Sequence, residues 1–243
     1  MEKSGRFPAA IALAVGLIAS TMVGARALVR IKSADQTISV TGSAKRRIKS
    51  DLVVWSAEVS STSKDRSAAY KKLAGDVPKV TAWLARQGVP ADKIKVHSIA
   101  TVEQHPIDKE GHLTNDVVSG YVLKQSVEVR WSDVDRVERI AREATELLDE
   151  GVVIESGAPD FHYTKVASLK IEMLADASRD ARVRAEQIAS STGSRIGPLR
   201  SARMGVMQIN AADQTETDAE GMNDTSSIDK DVMAVVTSSF ALE

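Results

Sequence analysis

The chain has 243 residues, 43 % hydrophobic and 27 % charged, a globular composition that excludes wholesale disorder and collagen-like repeats. It has no cysteine, so disulfides, thiolate metal sites and catalytic thiols are excluded. Lys and Arg total 32 against 33 for Asp and Glu, a balance without the strong positive field that gathers nucleic acid.

In chain order, the first feature is an uncharged run of nineteen residues from Phe7 to Ala25, preceded by Lys3 and Arg6 and followed by Arg26, Arg30 and Lys32. As a helix it would be about 28 Å long, against a hydrocarbon core of about 30 Å. A cleavable signal has a shorter apolar core of about 7 to 15 residues, so the length favours an uncleaved single-span anchor. Small residues around Val23-Gly24-Ala25 and Ala25-Arg26-Ala27 keep cleavage open, which would leave a soluble exported product. The expected division is therefore 1–31 as signal anchor or signal peptide and 32–243 as the body. Without 1–31 the chain keeps 28 basic and 32 acidic residues, a mildly acidic body.

The body alternates between strand and helix patterns. Val53, Trp55, Ala57 and Val59 alternate with polar positions, the mark of a half-buried strand, and the charged stretch 45–51, with the basic cluster Lys45-Arg46-Arg47-Ile48-Lys49, reads as the turn before it. Tyr70, Leu73, Val77, Val80 and Leu84 form one helical face, with Gly75 and Pro78 predicting a kink or weak first turn. Strands follow over about 93–105 and 120–131. Ser132 with Asp135 predicts a cap for a helix facing inward through Val134, Val137, Ile140, Ala141, Ala144 and Leu148. A strand over 152–161 precedes the longest helix, about 164–192, striped by Val166, Met173, Ala177, Ala181, Ala185 and Ile188. Two strands, near 196–209 and 232–242, close the chain. The reading is an α+β fold of about seven strands with three helices packed on the sheet, preceded by one N-terminal hydrophobic helix.

Chemistry is sparse. No Gly-x-Ser-x-Gly turn, phosphate loop or Gly-x-Gly-x-x-Gly is present. The four histidines have no partner three or four residues away, although His105 and His112 flank one loop. The seven acids between Asp213 and Asp231 lack the ordered spacing of a calcium loop and read as a flexible, solvated connection. No catalytic residue, cofactor or metal ligand is assigned, and the chain is expected not to be an enzyme. The open alternative is a small-molecule-binding or enzymatic domain whose cleft the sequence does not reveal.

Four segments resemble the SIMPL-domain family of bacterial envelope proteins. They are Ile38-Ser39-Val40-Thr41-Gly42-Ser43-Ala44 with Ser50-Asp51-Leu52, Gly88-Val89 to Val96, Gly120-Tyr121 to Val129, and the alanine-rich 175–197. The resemblance implies an exported α+β domain of the periplasm or envelope, without established catalysis, suggested to act in stress tolerance and in some members assembling into large oligomers. A homo-oligomer tied to the inner membrane through residues 7–25, with its main domain in the periplasm and no nucleic-acid partner, is the expectation. Gly42, Asp51, Gly120 and Tyr121 are read as structural: the glycines as sites of bulge or close backbone approach, Asp51 as a turn residue.

Overall fold

A computed structural model describes residues 14, 16–18, 20–25, 36–106, 114 and 117–243. Much of the expected membrane segment Phe7–Ala25 lies outside these residues. Its described part is helical, with Leu17, Ile18, Met22 and Val23 between 52 and 67 % exposed. Among the described residues, no helix is long and apolar enough to cross a membrane.

The fold is mixed α+β, with nine strands in two sheets among the described residues rather than about seven on one. The strands are β1 (Thr37–Lys49), β2 (Leu52–Ser63), β3 (Ile94–Gln104), β4 (Gly120–Trp131), β5 (Val153–Ser156), β6 (Asp160–His162), β7 (Ile196–Met204), β8 (Gln208–Ala211) and β9 (Asp229–Leu242). The helices are α1 (Arg66–Arg86), α2 (Val134–Glu143) and α3 (Val166–Ser191). One sheet runs β1-β9-β7 with β8 on β9. The other runs β3-β4-β2-β5 with β6 also on β2. The two added strands come from splitting expected single ones. Gly157-Ala158-Pro159 separates β5 from β6, and Gly205-Val206-Met207 separates β7 from β8.

The chain divides into two compact units, each discontinuous in sequence. One comprises the described residues up to Arg46, Ala167–Met207 and Met233–Glu243. The other comprises Arg47–Val166 and Gln208–Val232. In the latter, the alternation of β2 buries Val53, Trp55, Ala57 and Val59 with Leu123, Val127 and Val129 of β4, under Leu73, Val77, Val80 and Leu84 of α1. The Trp55 indole N–H, which would be costly to bury unpaired, donates to Ser156 Oγ at 3.1 Å, and that hydroxyl donates to Ala141 O at 2.7 Å. In the former, a smaller core joins Val40, Ala181, Ala185 and Phe240.

Several local expectations change. Of the expected turn 45–51, only Ser50-Asp51 turns the chain: β1 runs through the basic part, 45–49. Strand geometry is tolerated because acids meet the charges: Arg46 pairs with Glu172 and Asp176, Arg47 with Asp213 and Asp231, and Lys49 with Asp135. Helix α1 continues through Gly75 and Pro78, and its buried face uses Ala69, Asp76 and Trp83, whereas Tyr70 is 52 % exposed. The buried Asp76 carboxylate accepts from Lys72 and Lys79, whose ammonium groups also donate to Gly151 O and Glu150 O.

Leu147, not Leu148, is buried after α2, because the helix tightens to a 3-10 turn at Ala144–Leu148 and three-residue periodicity carries Leu147 beneath Ala144. On α3 the buried stripe is Leu169, Met173, Ala177, Ala181, Ala185 and Ala189. Val166 is half-buried and Ile188 exposed.

The cap of α2 is Asp133 rather than Ser132, its carboxylate accepting from Arg136 N at 3.2 Å. Asp133→Ala is expected to destabilise the protein by about 1 kcal/mol in urea unfolding. An unchanged midpoint would remove the cap from the account.

Candidate interaction site

A β-sheet edge carries unpaired N–H and C=O groups, and natural folds blunt it by shortness, bulges, proline, charge or a covering element. The edges of this chain differ sharply in how far they are blunted. Strands β5, β6 and β8 are only four, three and four residues long. Strand β7 holds Pro198, breaks register against β9 twice between Ile196 and Ser201, and carries Arg200 and Arg203. On β1 the Ser43 N–H is taken by Asp180 Oδ2 of α3 at 2.8 Å, and Arg46 reaches two acids of that helix. The Ser43 N–H, joined by Arg184, holds the Asp180 carboxyl below its ordinary range.

Among the described residues, strand β3 lacks these devices from Ile99 to Val102. It has one register shift, between Val96 and Ile99, after which Ile99 to Gln104 lie in unbroken antiparallel register with Gln125 to Gly120. Ile99, Ala100, Thr101 and Val102 are uncharged, and Val102 is 50 % exposed. Among the described residues, no backbone group of Ile99–Glu103 has a hydrogen-bond partner outside the strand ladder. Every second residue of an antiparallel edge strand directs its N–H and C=O away from its neighbour.

Beside this edge lies an open groove of about 600 Å³, walled by Asp65, Arg66 and Tyr70 at the start of α1 and by Ile99, Thr101 and Leu123 of the sheet. Asp65 is already engaged as the helix cap, accepting from Ser67 N at 2.9 Å. Arg66 has no ion pair among the described residues. The exposed Tyr70 thus forms a groove wall.

The residues singled out from sequence lie apart from that groove, with one partial exception. At Gly42 an added Cβ would fall 2.2 Å from both Ala177 O and Ala181 N, so α3 rests directly on the β1 backbone. Asp51 lies in the β1–β2 turn, where its two oxygens accept from Thr164 N at 2.7 Å and Thr164 Oγ1 at 2.9 Å. Gly120 opens β4 opposite Gln104. Tyr121 stands between Ser63 and Glu103, half-buried against the core, and adjoins the open edge.

The acidic stretch 213–231 is not a loose tether. Gln208 bonds Asp218 O and Met222 N, Asn210 bonds Glu216 O, and Asp231 receives Arg47 and Asp213 N. Lys230, 1 % exposed, donates to Asp224 O at 2.6 Å and Asp224 Oδ2 at 2.9 Å, while Ser226 and Ser227 also donate to that carboxylate. Burial raises the Asp224 carboxyl, but these donors outweigh it and leave the group well below the usual carboxylate range. Among the described residues, no three His, Asp or Glu side chains converge as metal ligands. His105 instead contacts Val117 O at 3.0 Å, and His112 lies outside the described residues.

The family model described as SIMPL, "Protein of unknown function (DUF541)", matches residues 38–240, from β1 almost to the end of β9. The chain belongs to the SIMPL family. The SIMPL domain therefore includes both sheets and the β3 edge. No curated protein matches. Among solved structures, this chain is similar to the regulatory subunit of aspartate kinase from Thermus flavus, at 15 % identity and a TM-score of 0.19, covering 82 % of this chain and 89 % of that one. At that TM-score the likeness carries no argument about the SIMPL domain.

The sequence missed the groove and the edge. Uncharged Ile99-Ala100-Thr101-Val102 was the available signal, but edge status depends on which strands pair, and that is non-local.

Proposed function

We propose that this SIMPL-domain chain is an exported, non-enzymatic envelope protein, held at the inner membrane by Phe7–Ala25 with its main domain in the periplasm, that works through self-association. The observation that carries the association is the unblunted β3 edge beside a groove. The uncharged nineteen-residue run supports the anchor. A membrane tether would raise the local concentration of such edges and strengthen weak pairing. The large grooves by β3–α1, β1–α3 and α2–β6 are all open, a shape better suited to an extended chain than to a small molecule, which usually has most of its surface enclosed. A role in stress tolerance would follow from such envelope assemblies.

Chemical cross-linking in the native envelope, followed by mass analysis, tests this reading. Products at multiples of one chain, recovered with the inner membrane, are expected. Monomer alone, or cross-links only to unlike proteins, would count against self-association. A mature N-terminus at Arg26 or Leu28 would replace the anchor with a cleaved signal.

A further inference from the structure

Resting on the self-association reading, we infer that the occupant of the β3 edge is the β3 strand of a second copy, paired antiparallel about a twofold axis with Glu103 of each copy entering the other's groove beside Arg66. The partner follows from charge and register together. Thr101 lies opposite the buried Leu123, so Ile99, Thr101 and Glu103 share the groove-side face, while Ala100 and Val102 face the other way.

In antiparallel pairing, directly opposed residues lie on the same face. If the axis passes through Thr101, Glu103 of the second copy stands opposite Ile99. If it passes through Val102, Glu103 stands opposite Thr101. Both Ile99 and Thr101 line the groove that holds Arg66. Either register therefore delivers a carboxylate to the same guanidinium, twice by symmetry.

Arg66 and Glu103 have no ion-pair partner among the described residues of a single copy. Self-pairing would supply both charges with partners and join two five-stranded sheets into one. A twofold interface of this kind closes on itself, so it yields a dimer, and larger assemblies require a second surface.

Because the chain has no cysteine, single cysteines report the contact cleanly in the full-length protein in detergent micelles. Directly opposed residues in an antiparallel pair have Cα atoms about 4.5 to 5.5 Å apart, within disulfide reach. In a scan of Ile99 to Gln104 under mild oxidant, covalent dimer should peak at Thr101→Cys or Val102→Cys. Ser201→Cys on β7 should remain monomeric.

Independently, Arg66→Glu or Glu103→Arg alone should weaken dimerisation about tenfold, and the two together should restore it. Association without a β3 cross-linking peak or charge rescue would overturn this interface while leaving self-association standing. A monomer at every concentration would overturn both. If the β3 cysteines trapped an unlike extended chain instead, the second copy would be the wrong occupant.

Discussion

Gly42→Ala is expected to destabilise the protein by about 3 kcal/mol or more, beyond the usual range for a single methyl forced into a packed site. The new Cβ would lie 2.2 Å from Ala177 O and from Ala181 N, and 2.7 Å from Ala181 Cα. These are backbone atoms of a 26-residue helix, so no side-chain rotation relieves the clash and α3 must move off β1. Movement would open the small core of Val40, Ala181, Ala185 and Phe240 and loosen the Ser43–Asp180 bond that covers the β1 edge. Gly120→Ala is the contrast. Its added carbon would meet the flexible end of Gln104 at 3.1 Å and Ser63 O at 3.3 Å, and a cost of about 1 kcal/mol is expected. Equal denaturation midpoints for the two variants would contradict direct packing of α3 on the β1 backbone.

Lys230→Ala is expected to cost about 3 kcal/mol, because removing one member of a buried ion pair leaves the other charge uncompensated. Lys230 is 1 % exposed and the Asp224 side chain 13 %. The consequence should spread along 224–230, where the Asp224 carboxylate also receives Ser226 and Ser227. Asp224→Asn provides the pH test. The folded-state pKa of Asp224 is depressed, so its contribution is complete above the unfolded carboxylate value of about 3.9 and declines as pH falls from there toward the folded value. The stability difference between wild type and Asp224→Asn should therefore be constant near neutrality and narrow below about pH 4. A difference that widened with acid would refute the assignment.

What the sequence made legible was local. The alternation of Val53, Trp55, Ala57 and Val59 announces β2 because pleat period and burial coincide, and each of these residues is buried. Phase errors arose where helix geometry changed or a small residue sufficed: the 3-10 turn brought in Leu147 instead of Leu148, and Ala189 replaced Ile188 on the α3 stripe. The charged 45–49 segment looked like a turn because its compensating acids are distant in sequence, Glu172, Asp176, Asp213 and Asp231 among them. The split into two sheets was hidden for the same reason, since β9 follows β1 by about 180 residues yet is its neighbour. The interaction site was least visible. Neither the free edge of β3 nor its juxtaposition with Arg66 and Tyr70 has a local motif, because both follow from long-range strand pairing.

Light scattering on the full-length chain in detergent, across a wide concentration range, tests self-association most directly. After the micelle contribution is subtracted, the protein mass should rise from 26.1 kDa toward at least twice that value as concentration increases. A strict monomer at every concentration would contradict the account.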